Sequence, residues 1–200
     1  MAKILVVNHV TLDGVMQAPG RPDEDTREGF AHGGWAIARS DGEVAAKIGE
    51  RMVAGENAFL FGRRTYEDFF AVWPARTDSP FSAALTNATK YVASCTLAEP
   101  LPWANSILLA GGAASAVVDL RRELGGTVTI FGSGELIASL MAAALIDEYL
   151  LIVHPLVLGE GRRLFAAGAR AELRLLESST TSAGVVLATY APASATPARR

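Results

Sequence analysis

Twice in this 200-residue chain a short apolar run ends in glycine and a helical pattern starts at once. In the first case residues 58–61 read as a buried strand and Gly62 stops it. Arg63, Arg64 and Thr65 then lead into a segment with Tyr66, Phe69 and Phe70 on one side. In the second, residues 127–131 (TVTIF) are the strand, Gly132-Ser133-Gly134 the break, and 135–144 the helix. Each break leaves amide N–H groups unpaired at a helix start, where the helix dipole adds partial positive charge, so each suits a phosphate. Arg63 and Arg64 strengthen the first, because guanidinium binds phosphate oxygens bidentately. Taken singly, either turn is equally a packing device with solvated side chains. As a pair they fit a dinucleotide with several phosphates better than a monophosphate. The second turn lacks both the full G-x-G-x-x-G pattern and the Lys-Ser/Thr of a P-loop.

The remaining segments extend the same alternation. Residues 4–10 are β-branched and apolar, a buried first strand closed by the turn Thr11-Leu12-Asp13-Gly14. No period holds over 15–40, and a connection that long inside a compact fold is more often functional than filler. Ser40 and Asp41 can cap a helix running to about Val53, with Val44, Ile48 and Met52 at helical spacing. Strands follow at 91–94 and 107–109, and a helix at 113–124 closed by Gly125-Gly126. Two further runs, 149–153 and 156–158, read as strands around Pro155, and 172–177 with 185–190 as a closing antiparallel pair. Strands alternating with helices and then strands alone predict an α/β fold. Its sheet is mainly parallel with an antiparallel C-terminal edge, and helices cover both faces. One domain is expected over 1–190, with 191–200 a disordered tail.

Composition narrows the function. Half the residues are apolar and the net charge is −3, which gives no electrostatic reason to expect nucleic acid or an anionic membrane as partner. Cys95 is the only cysteine, so no intrachain disulfide can form and a cytoplasmic setting is expected. No apolar run approaches the ~20 residues that span a bilayer, and the first residues do not read as a signal peptide. His9, His32 and His154 have no metal-ligand spacing, and no G-x-S-x-G elbow occurs.

An ordered set of motifs then carries a resemblance. Thr11-Leu12-Asp13-Gly14, 30–35 (FAHGGW), 61–67 (FGRRTYE), 91–94, 131–136 (FGSGEL) and 147–165 (DEYLLIVHPLVLGEGRRLF) span most of residues 2–190. Together they resemble the dihydrofolate reductase superfamily, in the branch similar to the reductase domain of bacterial riboflavin biosynthesis. The resemblance implies a dihydrofolate reductase-like fold that binds NADPH. Arg63 would meet the 2′-phosphate side. Gly62, Arg64 and Thr65 would face the pyrophosphate from one helix start, and Gly132, Ser133, Gly134, Glu135 and Leu136 from the other. Ser94 falls at the adenosine end, and Val7 and Asn8 where the first strand passes the nicotinamide.

For catalysis, Asp13 is a candidate substrate contact or a turn-forming residue. His32 and Trp35 lie in the loop that would flank the nicotinamide, as proton donor or hydrogen-bonding residue and as pocket wall or loop anchor. His9 reads as a core or pocket-edge histidine, His154 as structural, and 159–163 (GEGRR) as a hairpin turn or a substrate-phosphate contact. One departure matters: the carboxylate that folate reductases carry on the first helix would fall near Ala45-Ala46, with Glu43 and Glu50 off that face. The implied activity is an NADPH-dependent reductase of a small heterocyclic or carbonyl substrate, pyrimidine- or pterin-like and other than dihydrofolate. A non-catalytic nucleotide-binding protein and a plain scaffold are the alternatives. Exposed C-terminal strands make a homodimer plausible.

Overall fold

In the computed structural model, which describes residues 1–37, 42–53, 57–77 and 79–193, the first strand is buried on both sides. Within β1 (Lys3–Thr11), Ile4, Val6 and Val10 enter one apolar core, and Leu5 and Val7 enter another. Alternate residues of a strand point to opposite faces, so a continuous apolar run needs cover on each. That cover comes from helices. α4 (Ala113–Glu123) and α5 (Gly134–Ala142) pack on one face through Val117, Leu120, Ile137 and Leu140. α1 (Gly42–Val53), α2 (Arg63–Val72) and α3 (Pro80–Asn87) supply Val44, Tyr66 and Leu85 to the other.

The sheet has eight strands in the order β4-β3-β2-β5-β1-β6-β8-β7. Besides β1 these are β2 (Asn57–Gly62), β3 (Lys90–Ala93), β4 (Ser106–Leu109), β5 (Thr127–Phe131), β6 (Glu148–His154), β7 (Leu173–Thr180) and β8 (Val186–Pro192). All pairings among β1 to β6 are parallel, whereas β8 runs antiparallel to β6 and to β7. The expected α/β architecture with an antiparallel C-terminal edge is therefore the observed one. No helix of the described residues is long and apolar enough to cross a membrane.

Three local expectations differ from the structure. The run 156–158 is not a strand, because β6 stops at His154 and Pro155 has no N–H to continue the ladder. Leu156 and Leu158 instead pack beneath the long loop, against a small core of Val15, Ala18, Phe30, Trp35 and Ala36. α4 ends on Leu124 in an extended conformation. It is Gly126, at φ +70°, that turns the chain back and accepts a hydrogen bond from the Lys3 amide at 2.9 Å. At the C-terminus β8 continues through Ala191 and Pro192, and the Ala193 amide bonds the Glu172 carbonyl at 2.8 Å. The proposed cap at Ser40 and Asp41 and the end of the chain, 194–200, lie outside the described residues.

Leu60 in β2 is fully buried in the first core. Leu60→Ala should cost about 2–5 kcal/mol through lost contacts and a residual cavity. The check is a lower urea midpoint at unchanged slope.

Candidate functional site

Parallel strands present their carboxyl ends along one edge of a sheet, and in open α/β folds ligands bind in the crevice there. Here β2 and β5 are parallel neighbours, in the register Asn57↔Thr127 to Phe59↔Thr129, so the two glycine turns emerge side by side. They are bonded to each other. The Gly62 amide donates to Ser133 Oγ at 3.0 Å, and the Ser133 amide donates to Thr65 Oγ1 at 2.9 Å. From β1 the buried Asn8 side chain grips the second turn. Its Oδ1 accepts from the Gly132 amide at 2.7 Å and its Nδ2 donates to the Gly132 carbonyl at 3.2 Å.

Gly132 and Ser133 both lie in the left-handed region, at φ +54° and +52°. At Gly132 a Cβ would also fall 3.0 Å from the Thr65 side chain, so glycine is required there twice over. Neither Gly62 nor Ser133 caps its helix with a side-chain bond, so the first-turn amides of α2 and α5 point outward without a side-chain acceptor at the cap. A third start of this kind, α4 after Gly111-Gly112, borders the same space. It carries the same strand–glycine–helix signature in the sequence, at 107–113.

These turns open on a cleft of ≈ 1510 Å³, larger than the ~300–1,000 Å³ typical of a site for one small ligand. Every residue expected at the cofactor lines it: Val7 and Asn8, Gly62 through Thr65, Ser94, and Gly132 through Leu136. Asn8 and Thr65, however, spend their side chains on holding the second turn. Ser94 Oγ accepts from the Thr96 and Leu97 amides at 3.1 and 3.0 Å, and so shapes its own turn. Arg63 pairs with Glu67 at 3.1 Å. Arg64 and Arg162 reach Glu135 at 3.4 and 3.1 Å. Both glutamates are exposed, and such surface pairs are worth about 0–1 kcal/mol, so a multiply charged phosphate group can take these arginines over.

The catalytic candidates are not brought to the cleft. Asp13 Oδ1 accepts from Thr11 Oγ1 at 2.6 Å and the Leu158 amide at 3.2 Å, and Oδ2 from the Gly159 amide at 2.9 Å. The Thr11 bond first, then those amides, hold the carboxyl down at about 2. In this position it clamps two turns together. His32 is exposed, with Nε2 3.1 Å from Glu160 Oε1. Trp35 is buried in the loop's own core and donates Nε1–H to the Gln17 carbonyl at 2.7 Å, the anchor rather than the wall. In each case the bonds described stay within the loop and its neighbouring turn.

His9 reaches the cleft instead, beside Asn8. Its Nδ1 lies 2.8 Å from Nε2 of His154, which is buried and receives the Trp35 ring edge-on at 5.3 Å between centroids. Burial, and then the adjacent His154, push His9 down to about 3, so it is neutral at ordinary pH. The sequence signal was the alternation of β1, which puts His9 on the face of Val7. α1 meets the cleft with Val44, Ala45 and Ile48, whereas Glu43 turns away to accept from Ser182 Oγ at 2.8 Å. Arg162, in the segment that reads as a hairpin turn or a substrate-phosphate contact, also borders the cleft. No cluster of His, Cys, Asp and Glu among the described residues is suited to a metal.

This sheet order, with two interlocked helix starts at its carboxyl edge, defines an α/β protein of dihydrofolate reductase-like fold. Dihydrofolate reductase from Enterococcus faecalis, complexed with NADP(H) and RAB-propyl, superposes with a TM-score of 0.62 at 13% identity, over 95% of this chain and 96% of that one. A pyrimidine reductase-like protein of Corynebacterium diphtheriae NCTC gives 0.64 at 12% identity, over 96% and 92%. A Shewanella sp. PV-4 protein provisionally assigned to riboflavin biosynthesis gives 0.68 at 21% identity, over 97% and 100%. The chain belongs to the RibD C-terminal domain family, whose sequence model matches residues 2–187. It is also 30% identical over 139 residues to the uncharacterized protein YyaP of Bacillus subtilis (strain 168), covering 67% of this chain and 73% of that one.

Because Asp13 is held below its ordinary value of 3.8, the stability it adds is fully present above that pH and is lost as pH falls through about 2. Asp13→Asn should therefore cost about 1–3 kcal/mol near neutrality. In thermal melts the gap to wild type should close between pH 4 and pH 2.

Proposed function

We propose that this chain is an NADPH-dependent reductase acting on a small heterocyclic or carbonyl compound, pyrimidine- or pterin-like and other than dihydrofolate. The observation that carries the reading is the pair of side-by-side helix starts without side-chain caps, with Arg63 and Arg64 at one of them. Their amides suit a pyrophosphate, and Arg63, whose present partner is an exposed glutamate, suits the 2′-phosphate that separates NADPH from NADH. Ser94 then borders the adenosine end, and Val7 with Asn8 the nicotinamide end. The bound cofactor supplies the hydride. The rest falls to the chain: Val44, Ala45 and Ile48 offer an apolar wall to a planar substrate, and Arg162, paired with Glu135 and Glu28, adds a cation to the lining of the same cleft.

Dihydrofolate is disfavoured because the cleft face of α1 presents Val44, Ala45 and Ile48 where folate reductases carry a carboxylate. The same apolar face favours a second reading, a nucleotide-binding protein without turnover. NADPH that binds tightly yet is never oxidised across a panel of pterins, pyrimidines and quinones would select it.

NADPH at 100 times its dissociation constant should stabilise the fold by ~2.7 kcal/mol. Arg63→Ala should weaken NADPH by about 1.5–3 kcal/mol, roughly 10- to 150-fold, while leaving NADH almost unchanged. Titration calorimetry with both nucleotides reads this directly, and equal losses for the two would remove the 2′-phosphate assignment.

A further inference from the structure

Hydride delivery to a C=N or C=O group leaves charge on the heteroatom, and a reductase needs a donor placed there. On α1 the cleft-facing residues Val44, Ala45 and Ile48 carry none. The carboxylates bordering the cleft are engaged elsewhere. Glu24 Oε2 accepts from the Gly20 and Arg21 amides at 2.6 and 3.1 Å, and Asp25 pairs with Arg27. Asp68 and Asp23 pair with Arg21, and Glu67 and Glu135, beside the arginines that a phosphate would take over, stand at the helix starts assigned to the phosphates rather than at the reacting end. His9 differs from all of these. It follows Val7 and Asn8 on the strand assigned to the nicotinamide end, it lines the cleft, and its Nδ1 is occupied by His154.

We propose that His9, oriented by His154, is the catalytic hydrogen-bond donor at the reacting end of the substrate. This rests on the cofactor reading above and names the residue that completes it. In this assignment His154 Nε2–H is the donor across the 2.8 Å contact, in which either ring nitrogen can donate, and His9 Nε2–H is left for the cleft. His154 is held in turn by burial and by the Trp35 ring against it, so it acts as a positioning residue. As the substrate carbon accepts the hydride with its electron pair, the π electrons of the C=N or C=O bond move to the heteroatom. His9 gives that atom its Nε2 proton, and the imidazole recovers one from water in the open cleft. The balance is one hydride from the cofactor and one proton from solvent. A neutral imidazole can act in this way, as an electrophile that polarises a carbonyl.

The test uses the full chain labelled with 15N-histidine, with NADP⁺ as the probe. The expected spectrum shows His9 neutral with its proton on Nε2, and His9 ring signals that move as NADP⁺ saturates. A proton on Nδ1 of His9, or His9 signals that stay fixed while NADP⁺ binds, overturns the inference and leaves the cofactor site standing. Failure of NADP⁺ to bind overturns both.

A second arm follows NADPH oxidation with pterin, pyrimidine and quinone acceptors. His9→Phe should lower kcat by about 10²–10⁴-fold with the NADPH dissociation constant unchanged, and His9→Gln, which retains a donor, should recover part of the loss. His154→Phe should lower kcat at constant KM and mix the two His9 tautomers in the spectrum, which a purely structural role would not do. Unchanged kcat in His9→Phe sinks the proposal. So does a wild-type protein that binds NADPH and turns over no acceptor.

Discussion

Everything at the site depends on β2 and β5 pairing in parallel as immediate neighbours. Had another strand been inserted between them, the starts of α2 and α5 would stand about 10 Å apart rather than in hydrogen-bonding contact, since adjacent strands are spaced by about 4.8 Å. The crossed bonds between Gly62, Ser133 and Thr65 then fix the two turns relative to each other, and Asn8 carries that constraint to β1. Three strands thus set the geometry of one anion-binding edge. The cost is local: Ser133 occupies a left-handed conformation that non-glycine residues avoid.

Much of this was legible in the sequence because it is encoded locally. An apolar run, a glycine and a helical period are adjacent in the chain, so residues 58–70 and 127–144 announce both an element boundary and a site. What was not legible depends on contacts between distant residues. Asp13 has the spacing of a motif residue, but its partners Leu158 and Gly159 lie 145 and 146 positions away. His9 reads in sequence as a core or pocket-edge histidine, and only the register of β1 against β6, with His9 opposite Ile152 and Thr11 opposite His154, sets its ring diagonally against that of His154. For Trp35 and His32 the sequence offers loop position and a resemblance, which leave pocket and loop roles both open, whereas the apolar core that the loop builds for itself depends on contacts the sequence does not display.

The electrostatics of the cleft follow from the same layout. Arg63 and Arg64 from α2 and Arg162 meet where the helix dipoles are already positive, and Glu67 and Glu135 neutralise part of that charge at exposed positions. This keeps the chain near neutral overall while concentrating cationic groups where a phosphate-bearing molecule would lie.

The loop's private core has a further effect, on entropy. Residues 15–36 are held by Phe30, Trp35 and Ala36 packed against Val15 and Ala18, and by the Asp13 clamp at their base. Ordering one residue of loose backbone costs about 1–2 kcal/mol. A wall assembled during folding spares an arriving molecule that expense, so more of its contact energy survives as affinity.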